Sequence, residues 1–205
     1  MGLKTFFNLV AKESPVEAAV YHLFRTSIDD VWFCVVVDEE TRLVSCAFSP
    51  TGHVNGISAL LKPLPPGSDI REDDVDPYAL NVLHSLHQLY EGTPVDARFP
   101  LSFDHMSVFK RKALEATMMI PRGYVSSYGE IARKLGKRGA ARAVGRVEAT
   151  NPFPFVVPCH RVIRSTRALG EYGGGQEVKR RLLEREGVRF RGNRVARECF
   201  WTFPS

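Results

Sequence analysis

The chain has 205 residues, 44% hydrophobic and 25% charged, which suits one large domain or two small ones with a sizeable core and excludes a fibrous or low-complexity protein. Its net charge of +5 hides a division: Met1 to Met119 carry 10 Lys and Arg against 16 Asp and Glu, whereas Ile120 to Ser205 carry 18 against 7. The first half is therefore acidic by 6 charges and the second basic by 11, and a basic half joined to an acidic one is an electrostatic footprint for nucleic acid on the basic side.

At the N-terminus Lys4 precedes a short apolar stretch, but Glu13 and Glu17 follow and no small-residue cleavage site is evident, so no signal peptide is expected. Val31 to Val37 is rich in β-branched and aromatic residues, Asp38 to Thr41 forms a turn, and Leu43 to Phe48 reads as the return strand of a hairpin. These apolar runs are strand-sized and far short of a membrane span. His53 to Leu61 is expected to be a short helix stopped by Pro63, and Ser68 to Asp76 an exposed acidic loop. Pro77 to Tyr90 reads as a helix, with Leu80, Leu83, Leu86 and Leu89 at three-residue spacing, Pro77 near its start and Gly92 beyond its end. Strands followed by a helix predict a small α/β scaffold domain over residues 1–97.

Arg98 to Phe103 looks like the connection into a second, mostly helical domain over residues 98–205, which makes the fold class α/β in the α+β sense. Val108 to Ile120 is expected to be helical with a core stripe of Val108, Leu114 and Met118, the Met118-Met119 pair serving as core filler. Ser127 to Leu135 opens with a capping box, Ser127 as N-cap and Glu130 three residues on. Gly136 to Gly139 makes a turn and Ala140 to Ala149 a second helix, whose small residues Ala140, Ala141, Ala143 and Gly145 allow close approach to another backbone. That pair is a helix-turn-helix. Further on, Arg164 to Arg167 is a polar turn and Gly170 to Gly175 a glycine-rich loop around Tyr172. Gln176 to Glu186 is helical with Gly187 as its stop, and Val188 to Val195 is a terminal hairpin.

The stretch from Asn151 to Ile163 organises the rest. An apolar run, Phe153 to Val157, leads into Pro158-Cys159-His160-Arg161. Pro158 stiffens the backbone, so Cys159 should be delivered at a fixed turn, and His160 and Arg161 bring positive charge that favours its thiolate. The alternative is a cysteine that is only a small buried hydrophobe. Cys34, Cys46 and Cys199, the other three, are scattered without C-x-x-C pairing, which argues against a disulfide scaffold or zinc ribbon and for a reducing intracellular compartment.

Pro158-Cys159-His160-Arg161-Val162 resembles the active-site signature of the O6-alkylguanine-DNA alkyltransferases. The similarity runs from about Met106 to Val188 and takes in Ser127-Tyr128-Gly129-Glu130, Ala140-Ala141-Arg142-Ala143-Val144-Gly145, Asn151-Pro152, Tyr172-Gly173-Gly174-Gly175 and Leu182 to Gly187. It implies a monomeric, single-turnover repair enzyme that binds double-stranded DNA and no membrane, cytoplasmic or, in a eukaryote, nuclear. The alkyl group on guanine O6, or on thymine O4, would pass irreversibly to Cys159. The resemblance further implies that His160 takes the thiol proton through a bridging water, Glu186 holds and charges His160, Asn151 stabilises the turn and Tyr128 assists guanine departure. The second helix would enter the minor groove through Ala141, Ala143 and Gly145. Arg142 would replace the flipped nucleotide in the stack while Tyr128 helps to force it out. On the residues alone, Arg142 reads equally as a phosphate contact and Tyr128 as a half-buried aromatic. Pro154, Val162, Tyr172 and Gly173 would line the alkylguanine pocket. No metal or organic cofactor is required; some family members hold a structural zinc in the N-terminal domain, for which no ligand set can be placed here.

Arg146 and Glu148 depart from the small or apolar residues common at their positions, and Glu148 is expected to face away from phosphates or to pair with a nearby basic residue. Three rivals stand beside the alkyltransferase reading. A non-catalytic alkyltransferase-like damage-binding protein would lack the reactive cysteine, which Cys159 argues against. A DNA-binding regulator would use the helix-turn-helix alone and need operator specificity, for which no feature speaks. A cysteine hydrolase does not fit a Cys and His adjacent in sequence.

Overall fold

The computed structural model describes residues 19–50, 60–72, 76–96 and 98–204. The signal-peptide reading lies outside them, as does the helix expected at 53–61 apart from Leu60 and Leu61, which are helical. A four-stranded sheet comes first, in the order β3-β2-β1-β4, from β1 (Val20–Ile28), β2 (Val31–Asp38), β3 (Leu43–Ser49) and β4 (Asp69–Glu72). β1 and β2 are antiparallel, joined by Asp29 and Asp30, both at positive φ, as a tight two-residue hairpin turn requires. β2 buries both faces: Phe33, Val35 and Val37 belong to one apolar cluster, Cys34 and Val36 to another with Leu60. A strand covered on both sides reads as an unbroken apolar run, which is why Val31 to Val37 is legible as one.

Two strands run against expectation. His22, Arg25 and Thr26 interrupt the apolar pattern of β1, which is held as a strand by partners on both edges. The expected acidic loop is corrected over Asp69–Glu72, where all four residues are exposed yet pair in parallel with β1 from Val20 to Leu23. An edge strand needs only backbone partners, and its charges keep the edge from pairing further.

Helix α1 (Pro77–Tyr90) forms as expected, with the Asp76 side chain accepting from the Ala79 N–H at 2.7 Å and Pro77 in the first turn. Its buried stripe is Ala79, Val82, Leu83, Leu86 and Tyr90; Leu80 is exposed, since a strict three-residue spacing drifts around a helix of 3.6 residues per turn. Helix α2 (Val108–Met118) also forms, but its expected stripe is corrected. Val108 is 70% exposed, Met118 39% and Met119 49%, and the inward side chains are Ala113, Leu114, Ala116 and Thr117. Val108 is six residues from Leu114, roughly a third of a turn off its face.

The remaining elements are β5 (Ser126–Ser127), α3 (Tyr128–Lys134), α4 (Ala141–Ala149), a 3-10 turn (Cys159–Arg161), β6 (Val162–Ile163), α5 (Gln176–Arg185) and the hairpin β7 (Phe190–Arg191) with β8 (Arg194–Val195). One apolar cluster runs from Phe33 and Leu43 through Leu114 and Val144 to Phe153 and Leu182, so sheet and helices share a core. The connecting segment is pinned to the sheet: Leu43 N–H donates to Pro100 O and Ser102 N–H to Leu43 O. At the other end of α1 a Cβ on Gly92 would stand 2.5 Å from the Arg185 Cβ, and its φ of +79 also demands glycine. Arg122 donates to the carbonyls of Gly92 and Arg185, while Arg185 donates to Tyr90 O, which locks the ends of α1 and α5 together. Among the described residues no helix is long and apolar enough to cross a membrane.

Candidate active site

Cys159 stands where a buried loop turns into the 3-10 helix. Asn151 ties that loop: its Nδ2 donates to Val157 O at 2.9 Å, and its Oδ1 accepts from Phe153 N–H at 3.0 Å. Val157 N–H donates to Phe153 O, and Cys46 N–H on β3 donates to Pro152 O, so the sheet holds the loop from outside. Phe155 sits at φ 70, an uncommon conformation for a bulky residue, and is kept there by packing against Phe48 and Tyr90. Asn151→Ala removes both loop bonds and strands their partners. It is expected to lower unfolding stability by about 2 kcal/mol, measurable in a urea melt.

His160 and Glu186 come together although 26 residues separate them. Glu186 caps the C-terminal end of α5 and is buried; its Oε1 lies 3.1 Å from His160 Nε2. Arg161 completes the group with a fork on the same carboxylate, Nε to Oε2 at 2.8 Å and Nη2 to Oε1 at 2.7 Å, while its Nη1 donates to Ile120 O. A carboxylate at the negative end of a helix is disfavoured, and the guanidinium supplies the compensation. Burial pushes Glu186 up, but hydrogen bonds and charge from His160 and Arg161 more than reverse this and bring it to about 2. Burial lowers the His160 pKa, only partly offset by Glu186. The resting imidazole is therefore neutral: Nε2–H donates to Glu186, and Nδ1, buried without a partner, is the basic nitrogen. Glu186 holds His160 and favours its charged form, as expected from the sequence, but burial outweighs that effect at rest.

A correction concerns the thiol. Arg161 is spent on Glu186 and His160 is neutral, so neither lowers the Cys159 pKa. Burial, then the charge of Glu148, push it up to about 11, against smaller favourable effects of Asn151 and Lys179. The protein at rest holds a thiol. Lys179 escaped the sequence reading: it is buried on α5, its Nζ donates to Val162 O at 2.7 Å, and burial brings it down to about 8. A signal for it exists, because Lys179 lies on the same helical stripe as the buried Leu182 and Leu183. From the sequence Arg161 is recognisable only as nearby charge.

The paired helices behave as read. The Ser127 hydroxyl caps α3 by accepting from Glu130 N–H at 3.1 Å, but the Glu130 carboxylate turns to Arg133 instead of closing the box. Arg142 is exposed on α4 with Ala141, Ala143 and Gly145 half-buried beside it, and Tyr128 is half-buried against Gly145. Arg146 is exposed on the same side as Arg142. Glu148 does face away from that surface, and its hydrogen-bond partner is the Thr117 hydroxyl at 2.7 Å and not a basic side chain. Of the expected pocket residues, Tyr172 lies over Lys179 with its hydroxyl buried and unpartnered, and the Pro154 carbonyl accepts from the Cys46 thiol. The Val162 side chain belongs to the packed core, and Gly173 is exposed with open space where a Cβ would stand.

The family described as "6-O-methylguanine DNA methyltransferase, DNA binding domain" matches residues 108–188. The methylated-DNA–protein-cysteine methyltransferase of Methanothermobacter thermautotrophicus is 39% identical over 122 residues, covering 58% of this chain and 68% of that protein. The enzyme of the same name from Mycobacterium tuberculosis is 49% identical over 81 residues, 40% of this chain, and the match spans about half (49%) of the relative's length. Among solved structures, the M. tuberculosis OGT in complex with DNA superposes with a TM-score of 0.64 at 27% identity, covering 81% of this chain and 92% of that one. The O6-methylguanine-DNA methyltransferase from Pyrococcus kodakaraensis does so with a TM-score of 0.60 at 28% identity, covering 82% and 99%. With sheet, paired helices and Pro158-Cys159-His160-Arg161 all in place, the chain belongs to the methylated-DNA–protein-cysteine methyltransferase family.

Proposed function

We propose that this protein repairs double-stranded DNA by moving the alkyl group of O6-alkylguanine onto Cys159, once per chain. The observation that carries the reading is His160, next to Cys159 in the chain, held by Glu186 at the end of a loop fixed by Asn151, with its unpartnered Nδ1 available as proton acceptor. The thiol proton passes to His160 through a water, and the sulfur attacks the alkyl carbon. The C–O6 bond breaks with its electron pair passing to guanine, which takes a proton from the Tyr128 hydroxyl. The product is a thioether on Cys159 and an unmodified guanine still attached in the strand. A thiol near 11 fits a site that makes its nucleophile during the transfer step, as His160 takes the proton, and does not hold a thiolate ready at rest.

Residues 98–205 act in this reading as the DNA-binding and transfer domain and residues 1–97 as scaffold. Ala141, Ala143 and Gly145 bring α4 against the minor groove, Arg142 fills the gap left by the flipped nucleotide, and Tyr172 packs near the alkyl group with Pro154. The protein works as a monomer in the cytoplasm, or in the nucleus of a eukaryotic cell. Cys159 itself speaks against a damage-binding protein without transfer activity.

Titration with excess O6-methylguanine duplex should plateau near one transfer per chain, because a thioether offers no good leaving group; sustained turnover would defeat the reading. Arg142→Ala is expected to slow repair of duplex far more than reaction with free O6-benzylguanine, since the residue serves extrusion. Its magnitude on duplex is roughly 10–100-fold, the few kcal/mol of unstacking that the side chain offsets. Equal slowing on both substrates would assign Arg142 to the chemistry or the fold.

A further inference from the structure

Transfer as described leaves Glu148 without a task. It lies on the inward face of α4 with Val144 and Val147, and only 8% of it is exposed. Its Oε1 is 2.7 Å from Thr117 Oγ1, which is itself 3.0 Å from the carbonyl oxygen of Ala113; its Oε2 is buried and has no partner. A threonine hydroxyl has one hydrogen, and a backbone carbonyl can only accept. If Glu148 were ionised, one of those two short contacts would lack a hydrogen and Oε2 would be a bare anionic oxygen in the core. If Oε1 carries a proton, the acid donates to Thr117, Thr117 donates to Ala113, and Oε2 is a neutral carbonyl oxygen. The geometry selects the acid.

The groups that bond to it or feel its charge come from four other elements. Thr117 is on α2, Tyr128 on α3, Lys179 on α5, and Cys159 at the 3-10 turn. Glu148 and Cys159 are close enough for the charge of one to bear on the other. We propose that Glu148 is a positioning residue for alkyl transfer that acts through Cys159: as the neutral acid it permits the thiolate, and as the carboxylate it opposes it. The inference rests on the function proposed above. Burial raises the acid to about 7, against the smaller effects of Thr117 and Lys179, so its proton is lost to solvent well before the thiol near 11 ionises, and above neutrality any thiolate must form beside a carboxylate. On its loss, Thr117 turns its hydrogen from Ala113 to Oε1. Sulfur and carboxyl thus ionise at each other's expense, and alkyl transfer climbs less steeply above neutrality than a lone thiol would allow.

The test compares the full-length protein with Glu148→Gln, whose amide NH2 can donate to Thr117 as the acid does but cannot ionise. Two rates are followed from about pH 6 to about pH 9: iodoacetamide labelling of Cys159, mapped by mass spectrometry, and methyl transfer from O6-methylguanine duplex. The profiles should converge towards pH 6 and separate above neutrality. Cys159 in the variant should ionise about one pH unit lower, as expected when a close like charge is removed. Above neutrality that raises both rates by up to about tenfold. Superimposed profiles, or a variant slower by the same factor at every pH, would overturn the proposal. Should the variant not fold, infrared spectroscopy of the parent decides: a protonated-carboxyl C=O band at pH 6 that disappears by pH 9 supports it, and no such band at pH 6 overturns it. A parent that takes no methyl from duplex defeats the proposed function itself, whereas transfer with coincident profiles defeats only the role of Glu148.

Discussion

Cys159→Ala is expected to abolish alkyl transfer while leaving duplex binding largely intact. The substitution removes the sulfur that forms the new bond, and no other cysteine can stand in for it: Cys34 lies with Val36 and Leu60 on the far side of β2, and Cys199 packs with Val125 and Val188. Cys46 contacts the same loop through Pro154, but burial pushes its thiol far above the ordinary range, so it is inert. Binding should survive because the proposed DNA contacts are on α4, where Arg142 is exposed and Ala141, Ala143 and Gly145 are half-buried, whereas Cys159 is buried. The lost sulfur costs the fold about 1 kcal/mol, the worth of one buried heavy atom. Fluorescence anisotropy on alkylated and plain duplex, beside a transfer assay, separates the two outcomes. Loss of binding together with transfer would make the cysteine structural.

Glu186→Gln should have the next largest effect, on rate and stability together. The carboxylate is the common partner of His160 and Arg161; glutamine removes its charge and turns one of its two acceptors into a donor, so a guanidinium and an imidazole N–H are left to share a single neutral oxygen. Breaking a buried pair from one side costs about 3–5 kcal/mol. Loss of the oriented base should slow transfer by roughly 10²–10⁴-fold, the range for general base catalysis, with part of the rate regained at higher pH as the thiol ionises unaided. The same pair fixes an acid limb of stability. The Glu186 carboxyl is at about 2 in the folded protein against 4.5 ordinarily, so its contribution of about 3 kcal/mol is complete above 4.5 and lost as pH falls through 2. Glu148 has the opposite sign: raised to about 7, it contributes fully below 4.5 and the contribution is lost as pH rises through 7. Urea melts across this range should show the acid limb in the parent and its absence in Glu186→Gln. An unchanged acid limb would remove Glu186 from the mechanism.

The features legible in the sequence follow from local chemistry. Val31 to Val37 announces a strand because both its faces are buried, Ser127 announces a helix start because its hydroxyl caps Glu130, and Gly187 announces a helix end through its left-handed φ. The features that stay hidden depend on partners distant in the chain. Asp69–Glu72 is a strand only because β1 offers a free edge, and β1 is a strand only between two neighbours. The site divides in the same way. Cys159, His160 and Asn151 are neighbours in sequence and legible together, and Glu186 follows from the family resemblance. The neutrality of His160, the protonated thiol and the bidentate Arg161 all arise from burial, which adjacency does not reveal. Glu148 shows the limit most clearly: it stands out in the sequence as a departure, but its direction and its hydroxyl partner need α2 in place beside α4.

The central claim is that alkyl groups leave DNA for one named sulfur. Peptide mass spectrometry after incubation with a slight excess of duplex carrying a single O6-methylguanine tests it most directly. The expected result is one added methyl on the peptide containing Cys159, near one per chain, with Cys34, Cys46 and Cys199 unmodified and guanine restored in the strand. An unmodified Cys159 peptide alongside repaired DNA, or methyl found on another residue, would contradict it.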